Sequence, residues 1–151
     1  MQTGAAAHSF VVIVTGSRDW VSSEAIWRTL DSTHLGCIER GEELVLRIGD
    51  CDSGVDKFAL AWAIERGVTF HRYLADWNRF GFGAGPRRNA EMANDGGDLC
   101  TAFWRVDSRS HGKGTFDCVR KVSSKGIRVE LYSSTYFERK LSRASQKESP
   151  Q

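Results

Sequence analysis

With 151 residues, 40% of them hydrophobic and 26% charged, the chain is long enough for one domain whose core needs neither disulfides nor a metal. A formal net charge of +2 gives no compositional case for a nucleic-acid partner, and no run approaches the ~20 apolar residues of a membrane helix. Cys37, Cys51, Cys100 and Cys118 make no Cys-x-x-Cys pair. They read as reduced thiols in a cytoplasmic protein without a zinc site.

Residues 1–9 lack the basic n-region of a secretory signal and read as a short flexible arm. Phe10 to Val14 is a continuous β-branched run closed by Gly16, the pattern of a strand covered on both faces. Ser22 and Ser23 are natural N-caps for a helix that carries Ala25, Ile26, Leu30 and Leu35 on one side. Leu44 to Ile48 is a second strand. Ser53 and Asp56 have capping-box spacing at the start of a second helix, which Gly67 ends. Val68 to Leu74 alternates as a third strand. Asp76 to Gly85 is a glycine-rich loop, and Pro86 sits in the first turn of the next helix. Leu99 to Trp104 is a fourth strand, Gly114-Thr115 begins a fourth helix, and Ile127 to Tyr132 is a fifth strand. From Ser133 the tail is polar and basic, with Arg139, Lys140, Arg143 and Lys147. Tyr136 to Leu141 reads as one or two helical turns and the end as disordered.

Alternating strands and helices predict an open parallel sheet with helices on both faces. Right-handed crossovers place every strand-to-helix loop along one edge, where ligands bind. Gly16, Gly49, Asp76 and Trp104 are therefore expected to share that edge.

The unusual residues fall in those loops. In the first, Gly16 permits a close backbone approach, while Ser17 and Arg18 offer a hydroxyl and a permanently charged fork. In the second, between Gly49 and Gly54, Asp50 and Asp56 suit ribose hydroxyls or a purine edge better than a phosphate; Asp56 alternatively caps its helix. In the third, Arg87 and Arg88 stand at a helix start and oppose its dipole, which an anion bound by both would offset. In the fourth, Gly112, Lys113, Gly114 and Thr115 precede a helix and free amides for a phosphate. Trp20, Trp77 and Trp104 follow strand ends, where a base could stack on them or where they cap the core.

Together, Gly16-Ser17-Arg18-Asp19-Trp20, Gly54-Val55-Asp56, Ala75-Asp76-Trp77, Ala84-Gly85-Pro86-Arg87-Arg88-Asn89 with Met92, and Gly112-Lys113-Gly114-Thr115 resemble the SLOG superfamily, within it the YspA-like group of bacteria and phages. The resemblance spans about Phe10 to Tyr132. It implies a Rossmann-like sheet ordered 3-2-1-4-5 and binding of nucleotide-derived ligands, followed by a separate tail over 133–151. The LOG phosphoribohydrolases, a related branch, cleave the N-glycosidic bond of nucleoside monophosphates. Arg87 to Met92 resembles their Arg-Lys helix. Ser110 to Cys118 resembles their phosphate loop with two departures: Ser110 and His111 replace Pro-Gly, and Cys118 stands where the catalytic glutamate belongs.

The leading expectation is thus a protein that senses, sequesters or weakly hydrolyses a nucleotide-derived small molecule, with no cofactor and no metal. Should it be catalytic, Arg87, Asp117 and Asp76 are the candidates. The alternatives are a LOG-like phosphoribohydrolase and a single-stranded DNA-binding protein of DprA type. A homodimer or higher homo-oligomer is the expected assembly.

Overall fold

The computed structural model describes residues 8–140. Five strands form one sheet: β1 (Ser9–Gly16), β2 (Glu43–Gly49), β3 (Thr69–Tyr73), β4 (Leu99–Trp104) and β5 (Arg128–Ser133). All pair in parallel in the order β3-β2-β1-β4-β5, as the loop motifs implied. β1 is central, and its apolar run is continuous because both of its faces are covered. Val12 and Val14 point into the larger core with Leu46 and Ile48 from β2. Ile13, one residue out of phase, points into the other core with Cys100.

Helices α1 (Ser23–Glu39) and α2 (Gly54–Arg66) supply Ile26, Leu30, Val55 and Trp62 to the larger core. After β3 come a single-turn helix α3 (Trp77–Phe80) and a 3-10 turn (Gly81–Gly83), where a loop was expected. Helix α4 (Ala84–Asp95) follows at once, with Pro86 in its first turn as expected. α4 and α5 (Lys113–Ser124) close the opposite face through Met92, Ala93, Cys118 and Val122.

Local chemistry departs from expectation in three places. Ser22 caps α1 by accepting the Ala25 amide, but Ser53 makes no cap bond on α2, so the capping box is not formed. Leu35 is exposed, because the apolar face of its helix is narrower than the sequence suggested. Residues 134–140 are helical and return Phe137 to the core, 5.8 Å from the Trp20 ring and 6.1 Å from Phe103. Arg143, Lys147 and most of the N-terminal arm lie outside the described residues.

Right-handed crossovers leave Gly16, Gly49 and Trp104 at the carboxyl ends of their strands, and Asp76 just beyond β3. The four share one edge. A cleft of about 840 Å³ opens there, between the loop after β1, the start of α2, α3–α4 and the start of α5.

Candidate functional site

The first loop, Gly16 to Trp20, divides its residues among three tasks. Ser17 and Asp19 organise the long loop between β4 and α5. The Ser17 hydroxyl accepts the Arg105 amide at 2.9 Å. The Asp19 carboxylate accepts the Ser108 hydroxyl at 3.0 Å and the Arg109 amide at 3.1 Å, and its carbonyl accepts Arg105 Nη1 at 2.7 Å. Burial opposes ionisation of Asp19, yet those hydrogen bonds and Arg105 hold its carboxyl below the usual range. Arg18 lines the cleft, with its guanidinium 5.1 Å from the Trp77 ring centre. Trp20 is 4% exposed, packs edge-on against Phe103, and donates its indole N–H to Ser22. It belongs to the core and not to a base-stacking surface.

Close approach between the first two loops requires Gly54. Its φ is +66°, and a Cβ there would lie 2.3 Å from the Ser17 carbonyl oxygen. Gly49 does not line the cleft. It makes room beneath it, since a Cβ there would stand 2.5 Å from Arg88 Nη1 and 2.6 Å from Asp56 Oδ2.

A chain of polar side chains then crosses the floor. Asp50 pairs with Arg88 at 2.9 Å and accepts the Ala75 amide at 3.0 Å, so both of its oxygens are engaged in positioning. Arg88 Nε donates to Asn89 Oδ1 at 3.0 Å. Asn89 Nδ2 donates to Asp117 Oδ2 at 3.1 Å, and Lys121 Nζ reaches the same oxygen at 2.8 Å. Asp56 sits beside this chain, 9% exposed, receiving only the Cys51 amide at 3.3 Å. Burial pushes its carboxyl up to about 6. Arg88, the Cys51 amide and Arg18 pull it down, and Asp50 adds to the rise.

The two consecutive arginines part company. Neighbours on a helix are rotated by about 100°, so Arg88 turns inward while Arg87 lies over the half-buried Phe80 ring, 4.0 Å from its centre. Arg87 is outside the cleft, and the expected pair of arginines on one anion does not form. The same rotation separates Asp117 from Cys118. Asp117 lines the cleft, whereas Cys118 is fully buried in the core beside Cys100. The carboxylate of α5 that faces the cleft is thus one residue ahead of the position that the LOG-like alignment marks.

At the start of α5 the backbone turns through two left-handed residues, His111 at φ 53° and Gly112 at φ 75°. Gly112 is buried against Phe116 and Trp104 rather than facing the opening. The Lys113 amide donates to the Ser110 carbonyl and the Phe116 amide to that of Gly112. Among the described residues, nothing accepts the amides of Gly114 and Thr115, which lie in the cleft wall. Lys113, His111 and Arg120 border the same wall.

The cleft therefore gathers Gly16, Ser17, Arg18, Asp56, Trp77, Arg88, Asn89, Lys113, Gly114, Thr115 and Asp117. Asp76 is elsewhere, capping α3 by accepting the Arg79 amide at 3.1 Å. Trp104 packs on Phe116 behind the wall. Phe82 and Arg120 are among the cleft residues that the reading of the sequence missed. Phe82 is 99% exposed between two glycines, and Arg120 lies on α5 beyond the phosphate-loop motif. An aromatic residue flanked by glycines just before the α4 arginines was the available signal for the first.

Among the described residues, no group of three or more His, Cys, Asp or Glu side chains could hold a metal ion, and no helix is long and apolar enough to cross a membrane. Two comparisons bear on ancestry. The profile of the YspA, cpYpsA-related SLOG family matches residues 10–80, from β1 through α3. The Gene 61 protein of Mycobacterium phage D29 is 33% identical over 124 residues, covering 78% of this chain and 92% of that protein. With the parallel 3-2-1-4-5 sheet, these place the chain in the YspA, cpYpsA-related SLOG family.

Proposed function

We propose that the cleft binds a phosphate-bearing, nucleotide-derived small molecule, and that the protein acts as its sensor or sequestering agent. One observation carries this reading. The open amides of Gly114 and Thr115, at the positive end of a 12-residue helix, stand beside Lys113 in the same cleft as the half-exposed Trp77. Amide donors and a helix N-terminus suit a phosphoryl group, and a half-exposed indole suits a base. Family membership is consistent with a nucleotide-related ligand.

The test is native mass spectrometry of the protein purified from cells, followed by calorimetric titration with a panel of nucleoside mono- and diphosphates. A retained or titrated phosphorylated nucleoside is expected, with Lys113→Ala weakening it by about 10-fold, the size of one charge-assisted contact. Absence of binding by the whole panel at millimolar concentration would refute the reading.

A second reading, N-glycosidic hydrolysis, is favoured by Asp56. A buried carboxyl that titrates near 6 in a cleft is suited to proton transfer at neutral pH. Release of free base from a bound nucleoside monophosphate is its measurement.

A further inference from the structure

The ligand-edge loops and helix starts carry seven aspartates, and the structure accounts for six. Asp19 holds the β4–α5 loop, and Asp107 pairs with Arg105. Both oxygens of Asp50 are held by Arg88 and the Ala75 amide. Asp76 caps α3, and Asp52 is exposed outside the cleft. Asp117 already accepts Asn89 and Lys121. Asp56 remains. It is nine-tenths buried, lines the cleft, and receives one long hydrogen bond, on Oδ2. No donor reaches its Oδ1 among the described residues.

We infer that Asp56 reads the vicinal diol of a ribose, making the ligand a ribonucleotide derivative in preference to its deoxy counterpart. The inference rests on the cleft being a nucleotide site, as proposed above. A buried carboxylate short of donors demands them from whatever fills the space in front of it. A phosphate offers none and repels it. An ammonium group would approach the Arg88 guanidinium, which abuts Asp56 across Gly49. Two neutral hydroxyls supply two donors without added charge, and a carboxylate accepts a diol through both oxygens. The other charged groups acting on Asp56 are Arg18 from the first loop and Asp50 from the second, and neither carries a neutral donor that could replace the diol. The open amides of Gly114 and Thr115 lie on the α5 wall, so the two ends of a ribose phosphate meet opposite chemistries: donors for its phosphate, an acceptor for its sugar.

The experiment uses the full chain and two probes that differ by one hydroxyl, ribose 5-phosphate and 2-deoxyribose 5-phosphate, titrated by calorimetry with inorganic phosphate as reference. Ribose 5-phosphate should bind about 10- to 100-fold more tightly than the deoxy sugar, the range for one hydrogen bond to a charged group. Asp56→Asn should reduce that preference to about 2-fold, chiefly by weakening binding of the ribose sugar. Equal binding of both sugars by the natural protein would overturn the inference and leave the nucleotide site standing. If neither sugar phosphate nor any member of the nucleotide panel bound, both would fall. The comparison on the natural protein decides the question even where the variant fails to fold.

Discussion

Asp56 offers a sharp test of the electrostatics of the cleft floor, independent of any ligand. Its carboxyl rises from 3.8 to about 6 on folding, which corresponds to about 3 kcal/mol at 1.36 kcal/mol per pH unit. Because the folded value is raised, the native state holds more protons than the unfolded state between about pH 4 and pH 6. Stability attributable to this group therefore falls as pH rises through that window, and the full penalty is present above about pH 7. Asp56→Asn keeps the shape and removes the titration. At pH 4 the variant and the natural protein should unfold at similar urea concentrations. At pH 8 the variant should be more stable by up to about 3 kcal/mol, or about 6–12 °C in melting temperature for a domain of this size. The assay is urea unfolding followed by tryptophan fluorescence at half-unit steps from pH 4 to pH 8. A stability difference that does not change with pH, or an Asn variant that is weaker at pH 8, would show that Asp56 is stabilised as an anion by Arg88 and that the burial argument is wrong.

Other outcomes follow from the same geometry. Arg88→Ala strands the largely buried Asp50 and should lose about 3–5 kcal/mol, while Arg87→Ala removes only the contact of an exposed guanidinium with the Phe80 ring and should lose under about 1 kcal/mol; equal losses in urea unfolding would contradict the division between them. Gly54→Ala should lower the melting temperature far more than Gly67→Ala, since both glycines are left-handed but only Gly54 has backbone within 2.5 Å of the new carbon. Cys118→Glu should unfold the protein rather than create a hydrolase, because it forces a carboxylate into the fully buried layer beside Cys100; a well-folded variant with free-base release would refute this. Asp19→Ala should loosen residues 105–111 and raise amide exchange at Arg109, whose partner it removes, with little change in the strands.

Much of the architecture was legible in the sequence because β1, β2 and β4 are apolar runs bounded by glycine or polar turns, and alternation with helices admits few topologies. The loops that form the cleft were legible too, since glycines, arginines and aspartates at the ends of strands had no other clear use. What spacing could not resolve was direction. Arg87 and Arg88, or Asp117 and Cys118, are neighbours in sequence, and one step along a helix turns a side chain from ligand to solvent or from cleft to core. Trp20 and Arg18 differ for a related reason. The aromatic pocket that receives Trp20 includes Phe137, from a segment that reads as a polar tail. Asp50 was misread because its partner Arg88 is 38 residues away, a pairing that no local pattern discloses.

The Asp19 hydrogen bonds have a consequence for how the protein is made. They join residues 89 and 90 positions apart, and β4 must first dock on the free side of β1 to bring those residues together. A nascent chain that has emerged only through α4 holds the three strands β3-β2-β1, along with Arg18, Asp56 and Trp77. It lacks the β4–α5 loop, Lys113, Gly114 and Thr115, and so the entire α5 wall of the cleft. The segment that the family profile matches ends earlier still, at residue 80. The complete cleft is therefore a property of the finished sheet alone, and under the proposed function a ligand added during refolding or synthesis would select for chains in which the last two strands have closed.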